Sequence, residues 1–223
     1  MWESLDINGV IDYARDPYAS IREWKSRSGK KVVGSTLADV PEEVIYAFDA
    51  LPVTLLGTHR PLKKAPSLLP DNACSLARSN LELALSYEGD LFDGFVLPQV
   101  CDTTQHMCDI WRINFPDRYV ENILLPRQID RESARYWVRE EIQRLISSLS
   151  DWSGRTITDA DLNEAIKVHN ENLFHQFFFL QPADCYSDII DVAEAFGMFG
   201  KGMMKAAAQI HRPSCFQSFP GGL

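Results

Sequence analysis

The sequence has no long hydrophobic run and no excess of basic residues. Within its 223 residues, no window approaches the roughly 18–20 uninterrupted apolar residues that span a bilayer. Lysine and arginine total 22 against 31 aspartate and glutamate, which gives a formal charge of −9. A chain this acidic lacks the basic stripe that neutralises nucleic-acid phosphates or holds a protein on an anionic membrane. We therefore expect neither a nucleic acid nor a membrane as a partner.

The sequence also lacks the marks of an exported, disulfide-bonded protein. Its first six residues, MWESLD, are acidic and polar, without the basic segment and apolar core of a secretory signal. The five cysteines are an odd number, and no two have the C-x-x-C spacing of zinc ribbons or thioredoxin-type sites. These absences predict a cytoplasmic protein with free thiols.

Short β-like runs alternate with helical patterns over the first part of the chain. An early helix ends at Ser28-Gly29, and later helices are expected at residues 41–48, 73–87 and 103–113. Strands are expected at residues 30–33, where Gly34 ends the run, and at 51–57, 93–98 and 119–125. This alternation is typical of a parallel sheet covered by helices, so it predicts an α/β fold.

Beyond residue 127 the pattern changes to two amphipathic helices. Residues 131–149 carry one apolar stripe, Gly154 interrupts it, and TDAD at 158–161 resembles a capping box opening a second helix toward residue 180. The predicted organisation is an α/β domain over 1–127, a helical hairpin over 128–182 and a divergent tail over 183–223. The tail has little periodicity, and its end looks imposed on the chain and does not look like the terminus of a domain.

Two cysteines lie where the predicted topology favours chemistry. Cys101 follows the third strand and precedes a helix, and Cys74 lies where the loop after the second strand enters its helix. Ligands bind outside the carboxyl ends of parallel strands, and helix N-termini lower the pKa of a thiol. Both are therefore candidate ligands of a soft metal such as iron; the alternative is a buried, packed thiol. The other cysteines are interpreted as packing or structural residues: 108, 185 and 215.

Three further residues are weaker candidates for binding a substrate. Ser35 and Thr36 belong to a backbone-rich loop at the expected sheet edge, able to donate N–H groups to a carbonyl or phosphate. Glu42 opens the next helix, where a carboxylate near a strand end could act on a substrate, although acidic residues are also common in a solvated first turn. The five histidines form no ligand pattern and no catalytic pair.

Several segments, in this order, resemble the 2-hydroxyacyl-CoA dehydratase and benzoyl-CoA reductase subunit family. The resemblance covers approximately residues 28–180. The similar segments are VPEEVIYA at 40–47, LPV at 51–53, CSLARS at 74–79, LAL at 83–85, DGFVLP at 93–98, Cys101-Asp102, LPR at 125–127, and residues 154–172.

The resemblance implies flavodoxin-like α/β domains with an oxygen-sensitive [4Fe-4S] cluster in the cleft between them. Three cysteines of a subunit usually hold such a cluster, and Cys74 and Cys101 match family cysteines. Leu37 stands where the family often has cysteine. The second α/β domain, with its further cysteine, is expected to be missing, so the third cysteine ligand is not present in this chain. The chain thus resembles the front half of such a subunit.

The activity that the resemblance implies is radical elimination of water from a 2-hydroxyacyl-CoA thioester. In this family an ATP-dependent activator supplies a low-potential electron, the thioester carbonyl becomes a ketyl radical, and the hydroxyl leaves. The implied partners are a second dehydratase subunit, the activator and the acyl-CoA substrate. Two alternatives stay open: a benzoyl-CoA reductase-type subunit that reduces an aromatic ring, and a non-catalytic remnant or partner-binding module without the cluster.

Overall fold

The computed structural model describes residues 16–36, 39–128 and 130–179, with side chains described as far as residue 171. The chain divides into two compact units, Met1–Ala165 and Ile166–Leu223. Leu37, Cys185, Cys215 and the predicted tail over 183–223 lie outside the described residues. The predicted domain limits, the helical hairpin and the missing second domain therefore stay predictions.

The first unit contains a four-stranded sheet in which all neighbouring strands are parallel. Its strands lie in the order β2-β1-β3-β4, the start of a flavodoxin-like arrangement. They are β1 (Val32–Ser35), β2 (Leu51–Thr54), β3 (Gly94–Pro98) and β4 (Tyr119–Ile123). The predicted α/β fold with a parallel sheet is confirmed.

Helices precede, connect and follow the strands. They are α1 (Ala19–Ser28), α2 (Glu42–Ala47), α3 (Ser75–Glu82), α4 (Asp102–Asn114), α5 (Glu132–Ser153) and α6 (Asp159–Phe179). Helix α3 continues into one π-helical turn, Leu83–Tyr87. None of the helices in the described part of the chain has the length and apolar character that crossing a bilayer requires.

Two apolar cores cover the two faces of the sheet. Successive strand residues point to opposite faces, so Phe95 and Val96 of β3 belong to different cores. One core packs α3 and α4 on the sheet through Ala77, Leu81, Met107 and Trp111. The other packs α2 and α5 through Val44, Ile45, Leu145 and Leu149. The helices that begin at Cys74 and Cys101 thus share one face.

Gly34 lies inside β1 and does not end it, so the predicted end of the first strand is wrong. The strand continues to Ser35, which pairs with Thr54 of β2 and Val96 of β3. A Cβ atom at residue 34 would lie 2.8 Å from the ring Cδ1 of Phe95. Glycine is needed here because the neighbouring aromatic ring packs directly on the strand backbone.

Three predicted helix ends are confirmed. Gly29 (φ +66°) and Gly154 (φ +70°) follow α1 and α5 in the left-handed conformation that glycine adopts readily. At the start of α6, the Asp161 N–H donates to Thr158 Oγ1 at 3.3 Å, and the Thr158 N–H donates to Asp161 Oδ2 at 2.8 Å. These reciprocal bonds are the predicted capping box.

Candidate functional site

The carboxyl edge of the sheet has a reversal of strand order between β1 and β3. From β1 the chain continues to β2 on one side and then returns to β3 on the other side. Such a reversal leaves a crevice outside the carboxyl ends of the two central strands. Ser35 and Thr36 lie at the end of β1, and Cys101 lies three residues after Pro98, the last residue of β3. Three predicted site residues therefore lie at the ends of the strands that flank this crevice.

The hydroxyl groups of Ser35 and Thr36 are buried without a hydrogen-bond partner in the described part of the chain. Ser35 is 0% exposed and Thr36 is 4% exposed. Leaving a buried hydroxyl unpaired costs about 1–3 kcal/mol. A polar ligand group at the end of β1 would satisfy both hydroxyls.

Glu42 lies in the first turn of α2 and contacts the end of β2. Its Oε1 accepts a hydrogen bond from Thr54 Oγ1 at 3.0 Å. Because Thr54 is the last residue of β2, the carboxylate is held near the carboxyl edge of the sheet. This contact gives Glu42 a structural role, and its role in substrate binding stays a prediction.

Cys101 is the exposed N-cap residue of α4, and Thr104 fixes it. Thr104 Oγ1 accepts the N–H groups of Val100 at 2.9 Å and Cys101 at 3.0 Å, and it lies 3.6 Å from Cys101 Sγ. Hydrogen bonds from the Thr104 backbone N–H and from its hydroxyl hold the pKa of the Cys101 thiol below its ordinary value. A lower pKa increases the thiolate fraction, which is the form that binds metal.

Cys74 is the exposed N-cap residue of α3. Its Sγ accepts a hydrogen bond from the Ala77 N–H at 3.4 Å. Ala77 and Leu81 pack α3 on the same sheet face as α4, and the two helices contact each other. Both candidate cysteines therefore begin neighbouring helices on one face.

Cys108 has a different environment. It lies two turns after Cys101 in α4, is 2% exposed, and belongs to the apolar core. Burial raises the pKa of its thiol to about 11. The predicted packing role of Cys108 is confirmed.

The thiols of Cys74 and Cys101 are the right type of ligand for an iron–sulfur centre, but two are too few to hold one. Cysteine thiolates are the usual ligands of a four-iron cluster, which takes about four of them. Over residues 16–36, 39–128 and 130–171, whose side chains the structure describes, no group of three or more His, Cys, Asp or Glu side chains is placed to hold a metal. A cluster held by Cys74 and Cys101 therefore needs further ligands from outside these residues.

Glu82, the last residue of α3, fixes the loop that leads toward Cys74. Its carboxylate is fully buried, and Oε2 accepts the N–H groups of Lys63, Lys64 and Ala65, each at 2.8 Å. Burial raises the pKa of the Glu82 carboxyl, but the Ser86 hydroxyl and these three N–H groups together outweigh it, so the pKa lies below its ordinary value. A charged carboxylate thus holds residues 63–65 against the helix.

Sequence reasoning missed Thr104 and Glu82. The threonine follows Cys101 by three residues, which is the spacing of a capping box, so this signal was available in the sequence. Glu82 has no local signal, because its partners precede it by 17 to 19 residues and meet it only in the folded chain.

Comparison with known proteins places this arrangement in a family. Residues 38–211, most of the chain, match the family described as "2-hydroxyglutaryl-CoA dehydratase, D-component". The chain belongs to this D-component family. The resemblance found in its motifs is thereby confirmed.

Relatives of this D-component chain include enzyme subunits that act on different CoA esters. A benzoyl-CoA reductase subunit of Thauera aromatica is 31% identical over 158 residues, which are 70% of this chain and 41% of the relative. The (R)-phenyllactyl-CoA dehydratase beta subunit of Clostridium sporogenes is 26% identical over 183 residues, which are 82% of this chain and 49% of the relative. The (R)-2-hydroxyglutaryl-CoA dehydratase beta subunit of Acidaminococcus fermentans is 25% identical over 176 residues, which are 78% of this chain and 46% of the relative. The chain spans about half the length of the curated relatives it matches.

Proposed function

We propose that the chain is part of an iron–sulfur subunit of a 2-hydroxyacyl-CoA dehydratase, with Cys74 and Cys101 as ligands of one [4Fe-4S] cluster. The observation that carries the proposal is that two exposed thiols cap neighbouring helices on one face of the sheet. Thiolates are the donors that such clusters require. The remaining ligands come from outside the described residues, and an external thiol can stand in for them.

The residues at the end of β1 position the substrate in this proposal. A hydroxyl both donates and accepts hydrogen bonds, so Ser35 and Thr36 can bind the thioester carbonyl or the hydroxyl that leaves. Glu42 is a third contact, held at the sheet edge by Thr54. When bound, the cluster supplies a low-potential electron to the thioester; the protein orients the carbonyl and excludes water.

The proposed partners are a second dehydratase subunit, an ATP-dependent activator protein and an acyl-CoA. Two relatives are named as beta subunits, which supports a partner subunit for this chain. The proposed organisation keeps residues 1–127 as the domain that carries the cluster ligands, in a cytoplasmic complex.

A benzoyl-CoA reductase-type reaction is the second candidate function. It is favoured by the 31% identity with the benzoyl-CoA reductase relative, against 26% and 25% for the two dehydratase subunits. The same thiols and hydroxyls would serve either reaction. Mass spectrometry of the product separates them, because dehydration removes one water whereas ring reduction adds hydrogen.

Iron and acid-labile sulfide analysis tests the cluster. The full chain, purified and reconstituted without oxygen, is expected to hold up to about four iron and four sulfide per chain. Cys74→Ser and Cys101→Ser are each expected to lose most of the iron. Cys108→Ala is the matched control, since Cys108 lies in the same helix as Cys101 but is buried in the core.

Two results would contradict the proposal. One is a wild-type chain that stays free of iron after reconstitution with excess thiol, which supplies the missing ligands; the other is equal iron loss in all three variants. Either would favour the non-catalytic, partner-binding alternative.

A further inference from the structure

We infer that the loop of residues 58–65 binds the phosphate groups of coenzyme A, an inference that rests on the proposed function. The loop contains one histidine, one arginine, two lysines and no acidic residue, in a chain whose formal charge is −9. Coenzyme A carries its negative charge in a diphosphate and a 3′-phosphate. A concentrated group of cations is therefore the chemical complement of this ligand.

The cations of this loop form no ion pair within the described part of the chain. Arg60, Lys63 and Lys64 are exposed, and no carboxylate in the described ranges forms an ion pair with them. Two acidic residues that follow the loop in sequence, Asp71 and Glu88, each pair with an arginine outside the loop, at 3.3 Å and 2.6 Å. Each of these two charges is thus partly compensated by an arginine of another segment.

The backbone of the loop is fixed before any ligand binds. The three N–H groups of residues 63–65 donate to Oε2 of the buried Glu82, which stabilises its charged carboxylate and fixes the loop. The Tyr87 hydroxyl donates to the Pro61 carbonyl at 2.9 Å. A loop that is already ordered loses less conformational entropy on binding, and this favours affinity.

Two of the three cationic side chains rest on the π-helical turn that follows α3. The Arg60 guanidinium lies 4.9 Å from the centre of the Tyr87 ring, and Lys64 Nζ donates to the Leu85 carbonyl at 2.7 Å. Among the described residues, the Lys63 ammonium has no hydrogen-bond partner. Lys63 is therefore the cation with most freedom to contact a phosphate.

Helix α3 connects the loop to the proposed metal ligand. Cys74 caps the start of the helix, and Glu82 is its last residue, about 12 Å along the axis at 1.5 Å per residue. In coenzyme A the pantetheine arm separates the reacting sulfur from the phosphates. A phosphate site at the far end of α3 therefore suits a thioester that reacts near Cys74.

Lys63→Glu is the sharpest test. It reverses one exposed charge and keeps the backbone N–H that donates to Glu82. Calorimetric titration of the full chain with coenzyme A is expected to show a Kd about tenfold or more above that of the wild type. Titration with pantetheine, which lacks the phosphates, is expected to show weaker binding to the wild type and no effect of the substitution.

Arg135→Glu is the matched control. It makes the same charge change at an exposed arginine of α5, the helix on the other face of the sheet. Its Kd for coenzyme A is expected to equal that of the wild type. The inference is overturned if both variants weaken coenzyme A equally, if neither does, or if the wild type binds coenzyme A no more tightly than pantetheine.

Iron content separates this inference from the proposed function. Lys63→Glu is expected to hold as much iron and sulfide as the wild type after reconstitution. If the chain holds no iron but its affinity for coenzyme A still depends on Lys63, the proposed cluster is contradicted and the phosphate-binding role of the loop is supported. If the chain holds a full cluster but its affinity for coenzyme A does not depend on Lys63, only the phosphate-binding role of the loop is contradicted.

Discussion

Thr104 holds Cys101 in place through its hydroxyl, which contacts both the backbone and the sulfur of the cysteine. Thr104→Val removes this hydroxyl with little change in volume. We expect the pKa of the Cys101 thiol to rise, because the hydroxyl contribution to the thiolate is lost, although the Thr104 backbone N–H still stabilises it. The pH profile of iodoacetamide alkylation, followed on the Cys101 peptide by mass spectrometry, should shift its midpoint to higher pH.

Thr104→Ser is the control for this prediction. It keeps the hydroxyl and is expected to retain the alkylation midpoint of the wild type. If the valine variant also keeps that midpoint, the hydroxyl has no influence on Cys101.

The sequence predicted Cys101 as a residue of interest but not the burial of Ser35 and Thr36. Cys101 is found by local pattern, because it lies between a strand and a helix. The burial of the two hydroxyls depends on β2 and β3, which come from later segments and flank β1 only in the folded sheet.

Helix α3 and the loop before it act as one element through Glu82. Glu82→Gln removes the charge that accepts three N–H groups, so we expect the free energy of unfolding to fall by about 1–3 kcal/mol. Urea denaturation measures this loss, and hydrogen exchange at the amides of residues 63–65 should become faster. Glu140→Gln, at an exposed position of α5, is expected to change neither quantity.

Equal stability and equal exchange at residues 63–65 in the two glutamine variants would contradict the anchoring role of Glu82. It would also remove the fixed backbone on which the phosphate loop depends.

The packing of Phe95 on Gly34 joins β1 and β3. Gly34→Ala places a methyl group 2.8 Å from the ring, so we expect a loss of about 1–3 kcal/mol in unfolding free energy. In a Phe95→Leu background the same alanine should cost less, which a double-mutant cycle measures. Additive effects of the two substitutions would show that the ring contact is not the reason for glycine here.

Most elements could be predicted from local signals, and the errors have physical causes. Periodicity and caps placed the helices, although α5 extends to Ser153, four residues beyond the predicted apolar stripe, and ends where Gly154 adopts its left-handed conformation. Gly34 was interpreted as a strand end because glycine usually interrupts strands. Its real role depends on a ring 61 positions later, which no local pattern contains.

The whole molecule should lose stability in acid through two carboxylates, the buried Glu82 and the partly buried Glu121. Burial raises the pKa of Glu121, but hydrogen bonds from the Ser148 hydroxyl and then from Asn122 and Arg144 lower it below its ordinary value, as happens for Glu82. A carboxyl with a lowered folded pKa stabilises the fold above its unfolded pKa, about 4.3, and loses that contribution as the pH falls through the folded value.

We therefore expect the urea midpoint to fall as the pH is lowered below about 4.3. The fall should be shallower in the Glu82→Gln/Glu121→Gln double variant, which has already lost both contributions. An identical pH slope in wild type and double variant would contradict this assignment.

At the scale of the molecule, the order of the motifs predicted the family, and the match of residues 38–211 confirms it. The motifs did not predict the full set of ligands for the proposed iron–sulfur cluster. The chain spans about half the length of its curated relatives, and Cys185 and Cys215 lie outside the described residues. Two thiols at the starts of neighbouring helices are what the fold itself contributes.

Thiol cross-linking tests most directly whether those two sulfurs reach one site. The iron-free full chain is treated with dibromobimane, which joins only closely spaced thiols, and its peptides are identified by mass spectrometry. The account predicts a cross-link between Cys74 and Cys101 that disappears when iron and sulfide are bound first. Single alkylation of each cysteine, with no cross-link between them, would contradict it.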